Sequence, residues 1–268
     1  MPFALLLAAA WAAAAGTDPH SIRPTVLCRL EGPVLALTLA GADRVLVLED
    51  GRISLWTRAD DGLVRKGSLE TPVPAERVRH AAGLFHAPED DGGWVLRSGW
   101  TEALLLSLDG EALAITSAAD VLPWPGGGKG VRFRSGTSLI EGPLNGLGDG
   151  PYIAVAPDGT AAVDPDGRLL LADHVVPADA PRVGSAVVRP WPGLVVASSP
   201  NAPDADDALL LIRLEPPHVV ARLPVSGRIR ALAVRTSGAQ GIVLAAVESE
   251  GGTELVRFDL RRPPGPAR

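Results

Sequence analysis

The densest group of acidic side chains lies at Asp204, Asp206 and Asp207. Carboxylates at this spacing could bind calcium, which prefers several oxygen ligands. However, no glycine follows to give the sharp turn of a calcium loop, and no distal glutamate completes it. We therefore interpret the group as a solvated loop between two strands.

The histidines and glycine-rich stretches lack the spacing of known catalytic motifs. His80 and His86 have Gly83 between them and do not form a helical zinc pair. Asp173-His174 could supply two members of a catalytic triad, but the sequence has no Gly-x-Ser-x-Gly elbow to supply the nucleophile. The stretch 125–130 contains a lysine but lacks the Ser or Thr that follows it in a phosphate loop. No catalytic residue is predicted.

Two tryptophans, Trp124 and Trp191, are the candidate binding residues. Each stands in a Pro-Trp-Pro sequence. Proline on both sides prevents regular strand pairing and stiffens a loop. A tryptophan held on a rigid loop offers a large amphipathic surface to a peptide or a sugar. We predict that both side chains lie on loops and contact a protein or glycan. The alternative is that they pack in the core between blades, as aromatic side chains of propellers usually do.

The fold must position these side chains, and most of the chain consists of short apolar runs separated by turn residues. Asp-Gly pairs occur at 50–51, 61–62, 109–110, 158–159 and 166–167. Both residues tolerate positive φ, so Asp-Gly between apolar runs favours a hairpin. The 30 glycines and 25 prolines also interrupt helices. The pattern predicts an all-β fold.

An internal repeat sharpens the fold prediction. Residues 219–260 and 26–58 share one order of strands and turns. Similar units begin near Val34, Val78, Val131, Val183 and Ile229. Their spacing suits the blades of a β-propeller. We predict about five four-stranded blades, with six as the alternative, and Thr25–Leu30 as the N-terminal strand that completes the last blade and closes the ring.

The N-terminal segment has the character of a signal peptide. Residues 2–15 carry no charged or polar side chain and end in small residues. The stretch is shorter than the roughly 20 residues of a bilayer-spanning helix. We predict a signal peptide over residues 1–15, a propeller over 16–260 and a flexible tail over 261–268. The expected location is periplasmic or extracellular, with no integral membrane segment after cleavage.

The charge and cysteine content narrow the possible partners. The formal net charge is −6, and Lys66 and Lys129 are the two lysines. Nucleic-acid binding requires clustered positive charge, so no nucleic-acid partner is expected. The single cysteine, Cys28, cannot form an intramolecular disulfide. We predict it to be a small buried strand residue.

Residues 228–260 resemble an FG-GAP/VCBS-type propeller repeat, as in integrin α-subunit heads and bacterial secreted proteins. The shared pattern is an inner strand, a short loop, a buried apolar strand and an outer hairpin. Residues 34–58 and 183–213 follow the same pattern. The resemblance implies a degenerate bacterial repeat protein of that family.

The same resemblance implies a calcium loop, because residues 144–153 are similar to the Asp/Asn-rich loop of that family. Asn145 and Asp149 would be its remaining metal ligands, whereas Leu147 occupies a position that needs an oxygen. We therefore expect no bound cofactor, with calcium at these two residues as the alternative.

These observations lead to two functional hypotheses. The first is an exported binding or scaffold module for a protein or glycan, without evident catalytic activity. The alternative is an exported hydrolase or lyase with a site at the central propeller channel. Several ionisable side chains converging at the channel with shifted pKa values would favour the enzyme. A channel lined by Ala, Leu and Val would favour the scaffold.

Overall fold

In the computed structural model, the residues whose structure is described form β-strands and short connections, with no helix among them. The described residues are 22–40, 43–49, 51–60, 62–70, 84–86, 93–96, 103–109, 112–117, 120–122, 132–135, 138–141, 153–156, 160–202 and 205–263. Within these ranges no helix is long and apolar enough to cross a membrane. The predicted signal peptide and residues 264–268 of the predicted tail lie outside them.

Six antiparallel sheets follow one another along the described chain. Sheet 1 contains β2 (Val34–Ala40), β3 (Arg44–Glu49), β4 (Arg52–Ala59) and β5 (Gly62–Glu70). Sheet 2 contains β6 (Leu84–His86), β7 (Gly93–Leu96), β8 (Ala103–Asp109) and β9 (Ala112–Ser117). Sheet 3 contains β10 (Asp120–Leu122), β11 (Arg132–Ser135) and β12 (Ser138–Glu141).

The remaining three sheets occupy the C-terminal half. Sheet 4 contains β13 (Ala154–Val155), β14 (Ala161–Val163) and β15 (Leu169–Leu171). Sheet 5 contains β16 (Val187–Trp191), β17 (Leu194–Ser198), β18 (Ala208–Leu214) and β19 (Pro217–Pro224). Sheet 6 contains β20 (Arg228–Ser237), β21 (Gln240–Ser249), β22 (Gly252–Arg261) and the N-terminal strand β1 (Thr25–Leu30).

The N-terminal strand β1 is the fourth strand of the last sheet. It pairs antiparallel with β22, from Thr25 opposite Arg257 to Leu30 opposite Thr253. The sequence predicted this pairing and the bounds of the strand, and both are confirmed. Leu30 is buried in the core shared by sheets 6 and 1, so β1 also contributes apolar packing.

The strands within a sheet differ in burial according to their position. In sheet 5 all residues of the second strand, β17, are buried, whereas the fourth strand, β19, alternates between exposed and buried positions. The second strand is covered on both faces by neighbouring sheets, so its sequence is continuously apolar. The fourth strand has one solvated face and alternates accordingly.

The first strands of sheets 4, 5, 6, 1 and 2 lie beside one another in that order. We call the first strands of all six sheets, β2, β6, β10, β13, β16 and β20, the inner strands. Strand β20 packs against both β16 and β2, and β2 packs against β6. Because strand directions alternate within each sheet, the inner strands of sheets 5, 6 and 1 begin at one face of the molecule, which we call the entry face.

The number of sheets differs from the leading prediction. The described chain has six sheets, which is the alternative that the sequence left open beside five. The predicted units near Val78 and Val131 are displaced, because β6 begins at Leu84 and β10 at Asp120. Strands of sheets 3 and 4 are short, β13 having two residues, so their sequence repeats only weakly.

Candidate functional site at the start of inner strand β20

The sequence-predicted binding residue Trp191 lies in the core. It is the last residue of β16 and is 6% exposed. Its Nε1 donates to the carbonyl of Gly238 at 3.2 Å. Its ring packs against Gly241 so closely that a Cβ at Gly241 would lie 2.9 Å from the ring edge. The predicted loop placement is wrong, because β16 accommodates Pro190 through a register shift between Val188 and Trp191. Its ligand contact stays an untested prediction.

The other sequence-predicted site residues fall elsewhere. Trp124, Asn145 and Asp149 lie outside the described residues, as does Asp204. Within the described ranges no three His, Cys, Asp or Glu side chains come together in a way that could hold a metal ion.

Asp207 is buried and holds the connection that leads into β20. Its backbone N–H donates to the carbonyl of Gly227 at 2.8 Å, and its carbonyl accepts from Val225 N–H at 3.1 Å. Its Oδ2 accepts from Ile229 N–H at 2.8 Å. The prediction of a solvated loop is wrong for this residue, because pairing with the next sheet draws the side chain inward to 4% exposure.

The surroundings of the Asp207 carboxyl disfavour its charged form. Its Oδ1 is buried and has no hydrogen-bond partner within the part of the chain that the structure describes. Burial raises the pKa of Asp207 above the ordinary aspartate value, because it penalises the charged form. The Ile229 N–H and the charges of Arg228 and Arg230 oppose this effect without cancelling it. Asp207 therefore retains its proton to a higher pH than an exposed aspartate.

Arg228 is anchored by the chain around it. Its Nη1 donates to the carbonyl of Ala202 and lies 3.5 Å from the carbonyl of Ala205. Its Nε lies 3.7 Å from Oδ2 of Asp207. The guanidinium thus joins the β17–β18 connection to the first residue of β20 and places a positive charge beside the buried carboxyl.

Arg230 is held differently, at a bulge of the inner strand. The register passes from Ile229 opposite Val247 to Ala231 opposite Ala246, which leaves Arg230 without an opposing residue. A bulge of this kind redirects a side chain and is common next to functional sites. The Nε of Arg230 donates to Glu248, and the Arg230 side chain is 47% exposed.

Gly227 allows the connection to pass close to β21. Its φ is +134°, and a Cβ at this position would lie 2.3 Å from the carbonyl oxygen of Glu248. No other residue fits there without moving the backbone. The glycine therefore brings the start of β20 against the strand that carries Glu248.

A second buried carboxylate, Glu49, differs from Asp207 in having partners on both oxygens. Its Oε1 accepts from Arg52 at 2.7 Å and its Oε2 accepts from Ser54 Oγ at 2.6 Å. Trp56 Nε1 in turn donates to Ser54 Oγ at 3.1 Å. This satisfied network fixes the β3–β4 hairpin, and such complete partnering is typical of a structural role.

A charged pair also involves the inner strand β16, through Arg189 in the middle of that strand. Arg189 donates from Nη1 to Asp173 and from Nη2 to the carbonyl of Pro192 at 2.7 Å. The Arg189 hydrogen bond holds the pKa of Asp173 below its ordinary value. This pair joins sheet 5 to the segment after β15, away from the entry face.

Arg228 and Arg230 were not predicted as site residues, and Asp207 was predicted to be solvated. The two arginines flank the buried Ile229. Two arginines at alternate positions of a predicted inner strand were the available signal. The burial of Asp207 depends on pairing with Gly227 and Val225, which no local pattern indicates.

Six antiparallel sheets with neighbouring inner strands define a β-propeller, and solved structures agree. The chain is similar to the PQQ-bound form of aldose sugar dehydrogenase from Streptomyces coelicolor, with TM-score 0.50 and 13% identity over 90% of this chain and 98% of that one. No family model and no curated protein sequence matches. The predicted fold class, an all-β propeller, is confirmed, and four of the six described sheets have the predicted four strands.

Two further solved structures are similar at lower TM-scores. Streptogramin B lyase has TM-score 0.46 and 11% identity, over 90% of this chain and 98% of that one. A glucose dehydrogenase-type oxidoreductase from Thermus thermophilus has TM-score 0.45 and 13% identity, over 89% of this chain and 100% of that one.

These comparisons correct two predictions from the sequence. The FG-GAP/VCBS resemblance is wrong, since no family model matches and the solved propeller with TM-score 0.50 is a sugar dehydrogenase. A run of four antiparallel strands is common to propellers of many families, so the repeat pattern could not separate them. The hypothesis of a scaffold without catalytic activity is also corrected, since the solved structure with TM-score 0.50 is named as an aldose sugar dehydrogenase.

Proposed function

We propose that the chain is a β-propeller enzyme, a hydrolase or lyase, whose site lies at the entry face where β20 begins. The observation that carries this proposal is the buried Asp207 carboxyl, with one unpartnered oxygen, beside Arg228 and Arg230. A carboxyl with a raised pKa next to positive charges is a recurrent feature of active sites.

Asp207 acts as the general acid in this proposal. A proton donor is most effective when its pKa lies near the operating pH, and burial shifts the pKa of Asp207 in that direction. Since Oδ2 is occupied by the Ile229 N–H, the proton resides on Oδ1 and passes to the leaving group as the substrate bond breaks.

The two arginines stabilise negative charge in the same proposal. Bond cleavage by a hydrolase or lyase develops negative charge on a substrate oxygen, and fixed cations lower the energy of that state. Arg228 is fixed by the carbonyls of Ala202 and Ala205, so little reorganisation is needed during reaction. Glu248 orients Arg230 from the neighbouring strand.

A substrate screen with paired variants tests the proposal. Purified protein is assayed on p-nitrophenyl esters, p-nitrophenyl glycosides and polyuronates, the last followed by ultraviolet absorbance of the unsaturated product. On any substrate turned over, Asp207→Asn should lower kcat by about 10²–10⁴-fold, the usual contribution of general acid catalysis. Asp206→Asn, which changes the exposed neighbour, should retain activity and serves as the control.

Two results would contradict the assignment. Turnover that survives Asp207→Asn would remove Asp207 from the chemistry. Absence of turnover on all three substrate groups, by protein shown to be folded by circular dichroism, would contradict the reaction class.

We also propose that the enzyme is exported and acts on a protein or glycan outside the cytoplasm. The apolar stretch over residues 2–15, which ends in small residues, supports this. Expression of the full chain followed by fractionation should recover a product that begins near residue 16. Recovery of the uncleaved chain from the cytoplasm would contradict export.

A further inference from the structure

Arg230 is the arginine of the site whose partner can be exchanged. Its ion pair with Glu248 uses Nε, and the Glu248 side chain is itself 32% exposed. Pairs between partly exposed side chains contribute about 0–1 kcal/mol, because water competes for both charges. A ligand carboxylate can therefore replace Glu248 at small cost.

Arg228 differs in this respect, because its partners belong to the fold. It contacts the carbonyls of Ala202 and Ala205 and lies near the buried Asp207. Displacing these groups would open the β17–β18 connection. Of the two arginines, Arg230 is thus the one placed to receive a ligand, while Arg228 supplies a fixed positive field.

We infer that the entry face binds a substrate through a carboxylate group held by Arg230. The inference rests on the proposed function for the position of the site and adds the substrate class. A guanidinium presents parallel N–H donors that match a carboxylate in two hydrogen bonds. At the bulge, Arg230 has no opposing residue on β21, and its side chain already binds one carboxylate, that of Glu248.

Citrate binding, measured by calorimetry on the folded full-length protein, tests the inference without requiring turnover. Citrate should bind, and its neutral trimethyl ester should not. Arg230→Ala should weaken citrate binding roughly tenfold or more, the usual effect of losing a charge-assisted pair. Arg29→Ala, which removes an exposed arginine paired with Glu254 on the outer strand β1, is the matched control and should bind as wild type does.

Glu248→Gln provides a second and opposite test. It removes the competing carboxylate and should tighten citrate binding, whereas a purely structural Arg230–Glu248 pair would give unchanged or weaker binding. Equal binding to Arg230→Ala and wild type, unchanged or weaker binding to Glu248→Gln, or no citrate binding would each overturn the inference. If citrate binds but no substrate is turned over, the carboxylate inference is supported and the proposed function is contradicted. If turnover is lost in Asp207→Asn but citrate does not bind, the proposed function is supported and the carboxylate inference is contradicted.

Discussion

Replacing Asp207 tests how the entry face is held together. Asp207→Ala keeps both backbone hydrogen bonds but removes the acceptor of the Ile229 N–H at 2.8 Å. Since Ile229 is buried, its N–H loses its partner without gaining water. Leaving a buried donor unsatisfied costs about 1–3 kcal/mol. For a domain of this size that is roughly 2–4 °C in Tm for each kcal/mol.

Asp207→Asn separates the hydrogen bond from the charge. The amide oxygen can accept the same bond, so this variant should lose less stability than Asp207→Ala. Asp206→Ala, which truncates the exposed neighbour, should lie within about 0.5 kcal/mol of wild type. Urea denaturation of the four proteins at pH 7 gives the comparison.

The pH dependence gives the sign of the electrostatic contribution. Because the pKa of Asp207 is raised on folding, the folded protein binds the proton more tightly than the unfolded chain. Stability from this group is therefore fully present below the ordinary aspartate pKa of about 4 and is lost as pH rises through the folded-state pKa. The stability of wild type relative to Asp207→Asn should fall as pH increases.

Three outcomes would refute this reasoning. They are an Asp207→Ala variant as stable as wild type, an Asp207→Asn variant as unstable as Asp207→Ala, and a wild-type advantage over Asp207→Asn that grows with pH. The last would mean that attraction to the charges of Arg228 and Arg230 outweighs the effect of burial on the pKa of Asp207.

Three further predictions concern the fold. Gly227→Ala should destabilise the protein by several kcal/mol, because the new Cβ would lie 2.3 Å from the carbonyl oxygen of Glu248. Gly193→Ala, where the new Cβ meets open space, should be nearly neutral, and chemical denaturation of the two variants distinguishes them. Burial raises the pKa of the Cys28 thiol to about 11, so DTNB at about pH 8 should modify native protein roughly 100-fold more slowly than urea-unfolded protein, and equal rates would contradict this. A chain lacking residues 1–32 should melt well below one lacking residues 1–15, since it loses β1; equal melting would contradict the role of β1.

The parts of the fold that could be predicted are those encoded locally. Thr25–Leu30 was recognised because its apolar pattern matches the outer strand at 219–223, and Asp-Gly pairs marked hairpins such as that at Gly51. The number of sheets could not be fixed, since strands such as Ala154–Val155 are too short to show a period.

The candidate site was less predictable, because it depends on contacts between sheets. Asp207 resembles its exposed neighbour Asp206 in sequence and differs only in pairing with the connection into β20. Trp191 lies between prolines like a loop residue, yet a bulge keeps it in a strand and its ring reaches Gly241 on sheet 6. Neither partner is close in sequence.

The most direct test of the central claim is the pH dependence of kcat/KM for wild type and Asp207→Asn, on whichever substrate is turned over. If Asp207 is the general acid, wild-type activity should decrease as pH rises through its raised pKa, because the acid must be protonated to act. Asp207→Asn should be slower by about 10²–10⁴-fold and lack that decrease. An Asp207→Asn variant with the wild-type rate and profile would contradict the account.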